Sequence, residues 1–137
     1  MKATLYTDGG ARGNPGPAGI GYVLTLADGR VVPQGAYIGE TTNNQAEYTA
    51  LVHGLERALK EGVRTLDCFL DSELVVKQIR GEYRIKDENL KVLAERARSL
   101  VDQFEHVSFN HVRREKNQRA DALVNEALDR QQKNSKV

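Results

Sequence analysis

Six of the twelve glycines of this 137-residue chain lie between Gly9 and Gly21, together with two of its three prolines, Pro15 and Pro17. The residues before them, Ala3, Leu5 and Thr7, alternate with Thr4, Tyr6 and Asp8, and this period of two predicts a strand that begins almost at the first residue. The strand is expected to end at Asp8. Gly9, Gly10, Gly13, Gly16, Gly19 and Gly21 are then expected to form a loop whose tight turns let another stretch of backbone approach closely. Taken alone, Asp8-Gly9 is compatible with an ordinary turn. A glycine-rich loop after a strand also fits a phosphate cradle, but neither GxGxxG nor GxxxxGK[ST] occurs, which argues against a nucleotide-cofactor site.

The length suits one domain with a real core. We expect residues 1–130 to form it and 131–137 to be a polar tail, with no repeat or linker between elements. The one cysteine, Cys68, cannot form an internal disulfide and lies in the apolar run Leu66 to Leu70, so a buried thiol in a reducing compartment is expected. No apolar stretch approaches the roughly 20 residues needed to span a bilayer. The opening MKATLYTDGG lacks the apolar segment of a signal peptide. A soluble, cytoplasmic, monomeric protein is the expectation. Twenty basic and 19 acidic residues leave a net charge of +1, so an argument for a polyanionic partner has to rest on local patches.

Ile20 to Ala27 and Val31 to Ile38 read as two more strands joined at Asp28-Gly29, a hairpin signal that makes the first three strands an antiparallel meander. Thr41 to Asn44 offer several helix caps. After them Ala46, Ala50, Leu51, Gly54, Leu55, Ala58 and Leu59 recur at helical spacing, up to Gly62. Thr65 to Leu70 reads as a buried strand parallel to the first, since a helix connects it to the meander. Ser72 to Arg80 fits a short helix capped by Asp71 or Ser72, and about Asp87 to Phe104 a longer one. His106 to Val112 alternates as a strand, and a last helix runs from about Asn117 to Gln131. The fold class is α/β: a five-stranded mixed sheet, strands one to three antiparallel and strands four and five parallel, flanked by helices.

Four acids stand at element ends or first turns. Asp8 and Asp71 follow the C-terminal ends of adjacent parallel strands, where sites in open α/β sheets lie. Glu47 would join them from the first turn of its helix, although Asn44-x-x-Glu47 equally fits a capping box. Asp121, in the first turns of the last helix, fits either a fourth member or a solvated acid. Clustered carboxylates repel, and divalent cations would neutralise them; oxygen-only ligands suit Mg²⁺ or Mn²⁺.

The motifs Tyr6-Thr7-Asp8-Gly9-Gly10, Gly13-Asn14-Pro15-Gly16-Pro17, Thr42-Asn43-Asn44-Gln45-Ala46-Glu47, Asp71-Ser72-Glu73-Leu74 and Asn117-Gln118-Arg119-Ala120-Asp121 resemble type 1 ribonuclease H, in that family's order and over Lys2 to about Leu128. The resemblance implies a ribonuclease H-like fold and an endonuclease that cuts the RNA strand of RNA/DNA hybrids. It implies that Asp8, Glu47, Asp71 and Asp121 are the catalytic, metal-holding carboxylates. Two Mg²⁺ or Mn²⁺ ions about 3.5 to 4 Å apart would flank the scissile phosphate. Asp8 would bridge both ions, Asp121 would serve the water side, and Glu47 and Asp71 the leaving-group side. Products would carry 5′-phosphate and 3′-hydroxyl ends. The same resemblance places Gly9, Gly10 and Asn14 against the hybrid, with Asn43, Asn44 and Gln45 beside them, Thr42 near a DNA-strand phosphate, and Ser72 among the contacts. For the asparagines, helix capping is a compatible second role.

Arg113, Arg114, Lys116 and Arg119 form the clearest basic cluster, open to two readings: a solvated face, or phosphate contact through Arg114. The basic, Trp-containing protrusion of many members is missing: Gly81 to Lys86 fills the gap, and there is no tryptophan. Tyr83 is a candidate to stack on the DNA strand. The mobile histidine of many members is also missing; Arg114 or Glu115 stands in its place, while His111 reads as a structural strand residue. Glu73 stands where some members have an uncharged amide. Competing readings are a non-catalytic hybrid-binding module, a resolvase or exonuclease of the same superfold, and a sugar-kinase-like phosphate binder. Four intact acids argue against the first, the Asn-rich turn before Glu47 against the second, and the short chain against the third.

Overall fold

The structure is a computed structural model that describes residues 2–134. Strands β1 (Lys2–Ala11), β2 (Gly16–Thr25) and β3 (Val31–Thr41) form the meander, and helix α1 (Asn43–Lys60) crosses to β4 (Thr65–Leu70). Helices α2 (Glu73–Ile79) and α3 (Glu88–Val101) precede β5 (His106–His111), and a 3₁₀ turn at Arg114–Lys116 leads into α4 (Gln118–Asn134). The sheet order is β3-β2-β1-β4-β5. β1 pairs antiparallel with β2 and parallel with β4, and β4 pairs parallel with β5. The mixed sheet expected from the sequence is the one observed.

Alternation along β1 sorts its side chains. Ala3, Leu5 and Thr7 are buried on the face covered by α1, where Leu5 fills the space beside Gly54. Leu24 and Leu66 join Leu51 and Leu55 of α1 and Leu90, Ala94 and Leu100 of α3 in one core. Cys68 is buried within it, and burial pushes its thiol up, so it acts as a small apolar group. On the opposite face α4 packs across β2, β3 and β1. Among the described residues, no helix is long and apolar enough to cross a membrane.

The largest difference from the sequence expectation lies in the glycine-rich stretch. β1 continues three residues past Asp8 to Ala11, and β2 begins at Gly16 rather than Ile20. Asp8 pairs with Gly21, Gly9 with Ile20 and Gly10 with Gly19, so most of the expected loop is a two-stranded ribbon. Glycine hides this from a pattern reading because it supplies backbone for the ladder and no side chain to alternate. β3 runs three residues beyond Ile38, to Thr41. α3 and β5 stop slightly short of the expected Phe104 and Val112. α4 continues past Gln131 to Asn134, and the rest of the expected tail, 135–137, lies outside the described residues.

Candidate active site

Two close approaches set the site. A Cβ on Gly9 would lie 2.3 Å from the Ala46 carbonyl, and one on Gly21 would lie 2.4 Å from the carbonyl of Ala120. The backbone of α1 therefore rests on β1 beside Asp8, and the start of α4 rests on β2 at the residue paired with Asp8. Glu47 and Asp121 follow directly after Ala46 and Ala120. Thr42 caps α1, its hydroxyl accepting from the Gln45 amide at 3.2 Å, so Glu47 lies in the second turn rather than the first. It is not a capping residue. Glu47 Oε1 instead accepts from the Gly9 N–H at 3.0 Å, while its Oε2 is buried without a hydrogen-bond partner.

Carboxylate oxygens of Asp8, Glu47 and Asp71 lie within 4.8 Å of one another. Asp121 stands outside this tight group but lines the same cavity, of about 490 Å³. Its Oδ1 is 3.8 Å from Arg114 Nη2, and its Oδ2 accepts from Asn125 Nδ2 at 3.4 Å. Asp8 and Glu47 are each 7% exposed. Burial pushes the Asp8 carboxyl up to about 7; the neighbouring Glu47 carboxyl opposes this, and the charges of Asp71 and Asp121 add to it. Burial, then the charge of Asp8, holds Glu47 well above the usual carboxylate range. The donors are oxygen only, and one buried oxygen is unpaired. This arrangement fits Mg²⁺ or Mn²⁺.

Gly9, Gly10, Asn43, Ser72 and Arg114 line the same cavity. Asn14 and Asn43 clasp the β1–β2 turn to the start of α1: Asn14 Oδ1 accepts from the Asn43 N–H at 3.1 Å, and Asn43 Oδ1 accepts from the Ala11 N–H at 2.7 Å. Thr42 and Gln45 are half-buried at the helix start, with the Thr41 hydroxyl donating to Gln45 Oε1, and Asn44 is exposed. Ser72 rather than Asp71 caps α2, accepting from the Val75 N–H at 3.2 Å. Arg113, Arg114, Lys116 and Arg119 are all exposed around the 3₁₀ turn and the start of α4. His111 is exposed at the end of β5, not enclosed as a structural residue. Tyr83 is 48% exposed, with Lys77 Nζ 4.9 Å from its ring centroid.

Sequence reasoning missed Asn117 and Arg12 as site residues in their own right. Asn117 Nδ2 donates to the Thr7 carbonyl at 2.8 Å and to Asp71 Oδ2 at 3.3 Å. Its place immediately before a helix carries only a capping signal in sequence. Arg12 ties the β1–β2 turn to α4 through Asp129 at 2.7 Å and Gln132 at 2.9 Å. Separations of 46 to 120 residues give no local pattern for these contacts.

Residues 6–127 match the family model described as reverse transcriptase-like. The chain is 49% identical to ribonuclease HI of Halobacterium salinarum over 93% of its own length, and spans 65% of that protein. It is 36% identical to ribonuclease HI of Caulobacter vibrioides, covering 93% of each chain. The crystal structure of LC11-RNase H1 in complex with an RNA/DNA hybrid superposes with a TM-score of 0.87 at 46% identity, over 93% of this chain and 97% of that one. With the mixed sheet and the acids at the ends of its parallel strands, these similarities establish that the chain belongs to the type 1 ribonuclease H family.

Proposed function

We propose that the chain is an endonuclease that hydrolyses the RNA strand of RNA/DNA hybrids, leaving 5′-phosphate and 3′-hydroxyl ends. The observation that carries this reading is the convergence of Asp8, Glu47 and Asp71 within 4.8 Å, in a cavity shared with Asp121, in a chain of this family. Asp8, Glu47, Asp71 and Asp121 would hold two divalent cations, Mg²⁺ or Mn²⁺, which when bound supply Lewis-acid polarisation of the scissile phosphate and a lowered pKa for the attacking water. In this assignment Asp8 would serve both cations, Asp121 the one that activates water, and Glu47 and Asp71 the one that stabilises the leaving oxygen. The Gly9 N–H donates to Glu47, which orients that carboxylate and opposes the upward push of burial on it.

Discrimination of RNA from DNA requires groups that meet the 2′-hydroxyl in the shallow minor groove. The clasp between Asn14 and Asn43 holds the Gly9 to Asn14 backbone next to the α1 terminus, and this composite edge, with Gln45 and Asn44, is the proposed reader. Thr42 and the exposed Arg114 cluster are the proposed phosphate contacts, Ser72 a further contact to the hybrid, and Tyr83 a candidate to stack on the DNA strand. That LC11-RNase H1 is solved with a hybrid supports this choice of substrate.

The direct test is cleavage of an end-labelled hybrid, with duplex RNA, duplex DNA and single-stranded RNA in parallel, in Mg²⁺, in Mn²⁺ and in chelator. Internal, metal-dependent cuts in hybrid RNA alone are expected. Hybrid bound but uncut in either metal would replace the nuclease with a binding module.

A pH dependence follows from the buried acids. Asp8 has its folded pKa raised from 3.8 to about 7, so the folded protein binds more protons than the unfolded chain between those values. This contribution to stability is present below about pH 4 and is lost as pH rises through about 7. Glu47 adds in the same direction. Metal-free protein is therefore expected to lose this stabilisation toward pH 8, and Mg²⁺ or Mn²⁺ to raise the melting temperature more at pH 8 than at pH 5. Melting curves with and without metal at the two pH values check this; equal metal effects at both would contradict it.

A further inference from the structure

We propose that Asn117 is a positioning residue that sets the spacing of the carboxylates, an inference that rests on the function proposed above. Pairing between β1 and β4 ends at Thr7 and Leu70. Up to that point the hydrogen-bond ladder fixes the distance between the strands. Beyond it, β1 continues through Asp8 while the chain after β4 bends at Asp71, and no ladder relates the two acids. Asn117 occupies this gap. It is 1% exposed, and its Nδ2 donates both to the carbonyl of Thr7, the residue before Asp8, and to Asp71 Oδ2. Its own carbonyl accepts from the Asp121 N–H at 3.1 Å in the first turn of α4. One buried residue thus touches the segments that bear three of the four acids.

The residue type fits this role and fits a space-filling role poorly. Asn117 Oδ1 is buried without a hydrogen-bond partner, a cost that an apolar side chain in the same place would not carry. What an apolar group could not do is donate to two acceptors at once. A lysine or arginine could donate, but its charge would compete with the cations that the acids are proposed to hold. A neutral amide orients Asp71 without reducing the negative charge of the site. Groups that hold metal ligands in this way tune affinity and rate without touching the metal.

The test compares Asn117→Ala and Asn117→Ser with the wild-type chain and with Leu100→Ala, a core substitution in α3. Thermal unfolding, Mn²⁺ binding by calorimetry without nucleic acid, and kcat and KM on a hybrid are measured for each. Both Asn117 variants are expected to melt cooperatively and bind Mn²⁺ about tenfold or more weakly, with kcat reduced roughly 10- to 100-fold and KM for hybrid unchanged. Leu100→Ala should lower the melting temperature and keep Mn²⁺ affinity. Wild-type Mn²⁺ affinity in folded Asn117→Ala and Asn117→Ser would overturn the proposal, as would failure of both variants to fold, which would make Asn117 a fold-holding residue. A wild-type chain that neither binds Mn²⁺ nor cuts hybrid would instead overturn the function proposed above, and this inference with it.

Discussion

Asp8→Asn is expected to reduce hybrid cleavage by at least about a thousandfold, on the order of 4 kcal/mol in the barrier, while leaving the fold intact or more stable. The two halves of this expectation have one cause. Asp8 is buried among acids, and burial together with Asp71 and Asp121 makes its ionised form unfavourable. Replacing the carboxylate with an isosteric amide removes that repulsion and keeps an oxygen facing Glu47. It also removes the charge that would anchor both cations. Asp71→Asn should behave alike, because the new amide can turn its oxygen toward Asn117 Nδ2 and preserve that contact. Melting curves and cleavage rates on the same preparations check the pair. Metal should also lose its stabilising effect on Asp8→Asn at pH 8. Wild-type cleavage in either variant would remove that acid from the proposed site, and lost folding would show that the acid is structural.

How much of this was legible in sequence depends on whether side chains or backbone carried the information. The boundaries of β4 were readable because Leu66, Cys68 and Leu70 point into the core and the next residue is the acid at the strand end. The hairpin was readable from Asp28-Gly29, where Gly29 takes a φ of +92° that few other residues accept. Asp8 and Asp71 were placed together by topology alone, since a helical crossover leaves few positions for β4. Asp121 could be placed near them only by family resemblance. Glu47 was ambiguous because Asn44-x-x-Glu47 is a sound local pattern; the contest was decided by Thr42, which caps the helix two residues earlier than that pattern assumed. The Gly16 to Gly19 start of β2 was unreadable, since its register is held by main-chain bonds, and Gly19, like Gly21, lies under α4 with no side chain to alternate. Asn117 was unreadable for a different reason. Its role depends on burial and on two acceptors, one of them 110 residues away, and no spacing rule reports either.

The glycines that obscured β2 are also where a single methyl group should do the most damage. In Gly21→Ala the new Cβ would meet the Ala120 carbonyl at 2.4 Å, Leu123 Cβ at 3.0 Å and the Val124 nitrogen at 3.2 Å. Two of these neighbours are helix backbone, which cannot swing aside as a side chain can. Relief requires α4 to lift by about 1 Å, the difference between that contact and ordinary van der Waals separation. Overpacking of this kind costs about 1–3 kcal/mol of stability. The larger consequence is for the site, because Asp121 follows Ala120 directly and moves with it, and a misplacement of about 1 Å in a catalytic group can cost roughly a hundredfold in rate. Gly9→Ala should act on the other side, pushing the Ala46–Glu47 backbone away from β1 and breaking the bond from the Gly9 N–H to Glu47. Both variants are expected to fold, to melt at lower temperature and to lose kcat far beyond what Leu100→Ala loses at equal destabilisation. If Gly21→Ala retained wild-type kcat, α4 would not be held at its working distance by this contact, and the glycine-rich ribbon would have only a backbone role.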